Sequence, residues 1–130
     1  MPTKLKDKDR SGLGLFRSIV NAFLGLCFVL RYHYKARLIF ILIIFVALFG
    51  LYLGISRLEM FILGVTIMMV FIVEIINTLV EQLANLITAE FNKKIKVIKD
   101  MAAGMVLLSL FFSLIVLYFI FVKYIIRLHV

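Results

Sequence analysis

Two carboxylates, two amides and a hydroxyl interrupt the apolar run FIVEIINTLVEQLAN, residues 71–85. On an α-helix turning roughly 100° per residue, Glu74, Asn77, Thr78, Glu81 and Asn85 fall within an arc of about 100°. The opposite side carries Ile75, Ile76, Leu79, Val80, Leu83 and Leu86, so the polar residues form a seam on a greasy helix. An ionisable side chain inside a membrane helix is expensive, which marks the seam for function. An apolar setting disfavours the ionised form of a carboxylate and suits it to general-base work, with Glu74 the candidate. Glu81, further along, suits a hard cation such as Mg²⁺, which uses one or two protein carboxylates and completes its shell with water and phosphate oxygens. Lys99 can neutralise a phosphate, and Asp100 is expected to begin a helix whose free N–H groups attract anions. A base, a metal carboxylate and a lysine are the parts of a phosphoryl-transfer site.

Each residue also has a plainer reading. Glu74 could serve as the coupling carboxylate of a small proton-linked transporter, and Asp100 alone could be only a helix N-cap. Lys99, with Lys93, Lys94 and Lys96, could be a patch for anionic lipid. Gly50 and Gly54, and the run Ala102, Ala103 and Gly104, read as helix-packing surfaces. No GxxxxGK[ST] loop is present, so a nucleotide would bind without that phosphate cradle.

The elements that must position these residues are membrane helices. In 130 residues the hydrophobic share is 65%, and the mean hydropathy is +1.15, more apolar surface than a small globule can hide. The formal net charge of +8 falls beside hydrophobic spans, where anionic headgroups are nearer partners than nucleic acid, which is excluded as the partner. Cys27 is the single cysteine, and no His/Cys cluster has zinc spacing. Residues 1–14 read as a disordered cytoplasmic arm without a cleavage site after the first apolar stretch, and residues 15–130 as one membrane domain. Segment 15–35 is ambiguous. Ile19 to Leu30 makes only about 18 Å of helix, short of the roughly 30 Å hydrocarbon core. Arg17, Asn21, Gly25, Arg31, Tyr32 and Lys35 share one side, so an amphipathic helix lying in the interface is expected there. Spans follow at 38–55, 60–88 and 100–122, with a tight polar turn at Ser56 to Glu59 and a basic loop at 89–99. The expected fold is all-α, three transmembrane helices plus a surface helix. Twelve of the fifteen Lys and Arg residues lie in the arm, the surface helix with its flank, and the 89–99 loop. That bias puts the N-terminus and that loop in the cytoplasm of a multi-pass protein.

The order E-I-I-N-T-x-x-E at Glu74 to Glu81, then Glu90, then K-D-M-A-A-G at Lys99 to Gly104, resembles the small bacterial integral-membrane diacylglycerol kinases, including the undecaprenol kinases of Gram-positive bacteria. Asn21, Ala22, Phe23 and Gly25 are similar to that family's surface-helix segment. The resemblance implies a kinase in the bacterial cytoplasmic membrane, a homotrimer with ATP and Mg²⁺ held between protomers, and a membrane lipid alcohol as acceptor. By that match Glu74 would be the general base supported by Asn77, and Glu81 would bind metal and nucleotide. Asn21, Glu90, Phe91, Asn92, Lys99 and Asp100 would touch the nucleotide. The KDMAAG run favours undecaprenol over diacylglycerol by analogy alone.

Three positions depart from the pattern. His33 stands where the family places a second metal-binding glutamate, Leu24 where a lysine is usual, and Asn85 where an aspartate is usual. Imidazole suits Mg²⁺ poorly, which leaves Mn²⁺ as an alternative metal. These departures support one rival, a catalytically silent family member acting as a structural or regulatory subunit. The transporter rival leaves Glu81, Lys99 and Asp100 without a role.

Overall fold

The computed structural model describes residues 12–87 and 92–129. Over these residues the chain is a bundle of four α-helices without a strand: α1 (Gly12–Tyr32), α2 (Tyr34–Tyr52), α3 (Arg57–Ile87) and α4 (Lys93–His129).

The first helix corrects the sequence reading. Within α1 the segment Gly14–Tyr32 is long and apolar enough to cross a membrane, as are α2, α3 and most of α4. The fold is therefore four candidate membrane-spanning helices, not three plus an amphipathic surface helix over 15–35. The shortfall inferred from sequence came from counting only the apolar stretch Ile19 to Leu30. The helix continues through Gly14–Phe16 on one side and Arg31–Tyr32 on the other, and its 19-residue window makes roughly 28 Å. Arg17, Asn21 and Arg31 are few enough in that window to leave it apolar. Four crossings would put the amino-terminal arm and the α3–α4 connection on opposite faces, so the Lys and Arg count no longer assigns both to one side.

The break between α1 and α2 is one residue wide. His33 takes an extended conformation (φ −110°, ψ 105°), yet its N–H still donates to Val29 O at 2.9 Å and its carbonyl accepts from Arg37 N–H at 3.2 Å. At the other end of α2, Gly54 adopts φ +63°, and Ile55 N–H reaches back to Gly50 O at 3.2 Å, closing the helix with a left-handed residue that glycine tolerates. A Cβ on Gly50 would lie 2.9 Å from Ile55 Cδ1, so the small residue lets the turn fold onto the helix end.

α3 then starts with a capping box. Ser56 Oγ accepts from Glu59 N–H at 3.3 Å, while Glu59 Oε2 accepts from Ser56 N–H at 3.1 Å. The same carboxylate is clasped by α4: Lys123 Nζ lies 2.5 Å from Glu59 Oε1, and the Tyr124 hydroxyl donates to Glu59 Oε2. Beside this clasp Val46, Leu63, Ile67 and Ile120 form the buried core, with Val116, Leu117 and Phe121 packed on it. The α2–α3 turn is thereby fixed to the carboxyl-terminal part of α4. The α1–α2 junction, the end of α3 and the start of α4 share the other end of the bundle, where the polar seam emerges.

Candidate active site

The seam on α3 changes character along its length. Glu74, Asn77 and Thr78 are buried, at 3%, 3% and 5% exposure, Glu81 is half-buried, and Asn85 is exposed. The helical register explains the grouping: these residues face α2 and α4, while Ile76, Leu79 and Leu83 on the opposite side are exposed. Phe71, one turn before Glu74, is buried and contacts Phe40 of α2 with ring centroids 5.9 Å apart, and Ala84 is buried on the following stretch.

Within this packed surface two acceptors stand out. Glu74 Oε1 and Asn77 Oδ1 are buried, and neither has a hydrogen-bond partner among the described residues. A buried polar atom left without a partner costs about 1–3 kcal/mol, so a pair of them one turn apart on a helix is a standing demand for a donor.

Toward the end of the bundle the seam meets two cations. Lys35, in the first turn of α2, places its Nζ 3.7 Å from Glu81 Oε1, and Lys99 of α4 donates to Asn85 Oδ1 at 3.5 Å. Glu81 and Asn85 are one turn apart, so lysines from two different helices flank the exposed part of the seam. The sequence reading had assigned Lys99 to this region; Lys35 was missed. No local signal could have found it, because the pairing spans 46 positions and depends on how α2 docks against α3.

The remaining expected site residues are dispersed. Asn21 is exposed on α1, roughly 18 Å of helix before His33. Asp100 does not open a helix: α4 begins at Lys93, and Asp100 is an exposed residue two turns inside it. Asn92 holds the capping position instead, its Oδ1 accepting from Lys94 N–H at 2.9 Å and from Ile95 N–H at 3.4 Å. Most of the basic segment read as a loop over 89–99 is thus the first two turns of α4. Glu90 and Phe91 lie outside the described residues.

The donors for a metal ion are sparse. Among the described residues no three His, Cys, Asp or Glu side chains come together as a possible ligand set. Neither His33 nor Glu81 is therefore part of a three-ligand set among the described residues. Glu81 by itself fits Mg²⁺ only in the mode in which phosphate oxygens and water supply the other positions. A groove of about 630 Å³ runs along α3 past Met60, Phe61, Gly64, Met68 and Ile72, its lining almost wholly apolar.

Residues 20–121 match the model of the family described as prokaryotic diacylglycerol kinase. None of the curated proteins compared with the chain matches it.

Proposed function

Because the chain belongs to the prokaryotic diacylglycerol kinase family, we propose that it transfers the γ-phosphoryl group of ATP to the hydroxyl of a membrane lipid alcohol, undecaprenol ahead of diacylglycerol. The family supports a lipid-kinase-type reaction and a multi-pass bacterial membrane protein, in keeping with the four apolar helices. The observation that carries the reaction to particular residues is the unpartnered, buried pair Glu74 Oε1 and Asn77 Oδ1. A lipid hydroxyl entering between the helices supplies a donor to the Glu74 carboxylate, and its oxygen accepts from the Asn77 amide N–H in this reading.

In this reading the lipid oxygen forms a bond to the γ-phosphorus as the bond from that phosphorus to the ADP oxygen breaks. The hydroxyl proton passes to the Glu74 carboxylate, which acts as general base. Asn77 orients the same hydroxyl, and Thr78 beside it keeps the surface polar. Their burial excludes water, which would otherwise compete with the lipid for the phosphoryl group. Lys99 and Lys35 attract and neutralise the nucleotide's phosphates at the exposed end of the seam. A magnesium ion held by Glu81 and phosphate oxygens would supply further charge neutralisation there. Asn21, Glu90, Phe91, Asn92 and Asp100 complete the nucleotide contacts in this reading.

In this reading the α3–α4 connection, flanked by Lys93, Lys94, Lys96 and Lys99, faces the cytoplasm because the nucleotide end of the seam lies beside it and ATP is available there. A single chain of this size has little mass outside the membrane to enclose a nucleotide, which favours a site shared between protomers, in the homotrimer that the family resemblance implies. The preference for undecaprenol rests on analogy, KDMAAG at Lys99 to Gly104 being similar to Gram-positive members. His33, Leu24 and Asn85, which stand where the family carries a glutamate, a lysine and an aspartate, favour one second reading, a silent family member kept as a structural subunit. Purified protein given labelled ATP and a panel of undecaprenol, diacylglycerol and ceramide tests both: label in a lipid supports the kinase, and none with any lipid or metal supports the silent subunit.

A further inference from the structure

The contact between Lys35 and Glu81 sits where the phosphotransfer reading needs a cation, and the cation present there is the chain's own. We propose that the Lys35 ammonium is the resident counter-charge of Glu81, so that the protein without nucleotide holds a lysine rather than a divalent ion at this carboxylate and takes up metal only together with phosphate. For what displaces the lysine, the inference rests on the kinase reading.

Three observations carry it. Lys35 is fixed at its base: the next residue, Ala36, has 0% exposure, and the helix begins only two residues earlier at the His33 break, so the first turn of α2 is seated against the bundle. Its side chain stays half exposed, as does much of Glu81, so the 3.7 Å pair is solvated and screened and yields readily to a competitor. Finally, the described residues offer no set of three metal ligands, so a divalent ion arriving alone would gain little beyond Glu81 and would meet the ammonium's positive charge at close range. An ion arriving on a nucleotide brings its remaining ligands with it, and its phosphate oxygens give the displaced ammonium a new partner. Of the other charged groups, Glu74 is buried two turns earlier on the same helix and shares the field of Lys35 with Glu81, and Lys99 of α4 is engaged with Asn85.

The test is a Mn²⁺ titration of the full-length protein in detergent micelles, read by electron paramagnetic resonance without nucleotide and then with a non-hydrolysable ATP analogue. Wild type should leave Mn²⁺ free until the analogue is added. Lys35→Met should bind Mn²⁺ without nucleotide roughly threefold more tightly than wild type. That gain should vanish in Lys35→Met combined with Glu81→Gln, while Lys35→Arg should behave as wild type. Lys35→Gln repeats the measurement if the methionine variant fails to fold. Nucleotide-free binding by wild type that Glu81→Gln removes would overturn the proposal, as would Lys35→Met or Lys35→Gln indistinguishable from wild type. Because no turnover is measured, an inactive protein would sink the kinase reading without deciding this one.

Discussion

Glu74 and Asn77 stand one turn apart on α3, each 3% exposed, and each holds a buried oxygen with no hydrogen-bond partner among the described residues. Evolution of a stable helix alone would replace such groups with leucine, since an unsatisfied buried acceptor costs free energy that an apolar side chain does not. Their presence in an otherwise greasy helix is what the proposed site would impose on its scaffold.

That trade gives the first prediction. Asn77→Leu, which removes one unpartnered acceptor at similar volume, should leave thermal stability equal to or above wild type while lowering lipid phosphorylation ~10-fold or more through lost orientation of the hydroxyl. The check pairs a melting curve with a transfer assay. Lower stability with unchanged transfer would make Asn77 a packing residue.

Lys99 should differ from its basic neighbours. Lys99 reaches the seam through Asn85, whereas Lys93, Lys94 and Lys96 are exposed or half-engaged residues of the first turns of α4. Lys99→Ala is expected to raise the ATP concentration for half-maximal rate several-fold. Alanine at 93, 94 or 96 should have smaller effects that fade as salt rises. Four equal effects would reduce this helix end to an electrostatic patch.

The clasp at the opposite end should matter for assembly of the bundle and not for chemistry. Glu59→Gln weakens its contacts to Lys123, and Glu59→Ala also removes the capping box with Ser56 and the Tyr124 contact. Both should lower the thermal midpoint in detergent, alanine more than glutamine, with the transfer rate at low temperature within twofold of wild type, about 0.4 kcal/mol of barrier. A rate loss that outruns the stability loss would show that this end is coupled to the site.

His33 is tested by restoring an acid. His33→Glu should lower the Mg²⁺ concentration for half-maximal activity, because a hard anionic oxygen replaces an imidazole nitrogen. If wild type instead prefers Mn²⁺, the substitution should reverse that preference. A metal titration that does not move would place His33 outside the metal's reach.

Much of this arrangement is legible in the residues. The 100° arc of Glu74, Asn77 and Thr78 is enough to foresee which side of α3 is buried, because helical periodicity is local. The Ser56-x-x-Glu59 capping box was also there to be read and was passed over as a polar turn. Its extension to Lys123 and Tyr124 was not, since those partners lie more than sixty positions away. Lys35 opposite Glu81 escaped for the same reason. The helical reach of α1 was underestimated because the polar residues at its ends were taken to stop the span, although a helix carries a few of them without losing its apolar length. Asp100 carries the acidic side chain expected at a helix start, but Asn92, an ordinary capping residue, supplies the start of α4 instead.

The central claim is that Glu74 takes the proton from a lipid hydroxyl during phosphoryl transfer from ATP. The most direct measurement is the rate of label transfer from γ-labelled ATP to undecaprenol and to diacylglycerol by wild type and by Glu74→Gln, with helix content and nucleotide binding checked on both. The account expects wild type to label a lipid, and the variant to keep its fold and bind nucleotide while transferring at least ~10²-fold more slowly. Near-normal transfer by Glu74→Gln would contradict it.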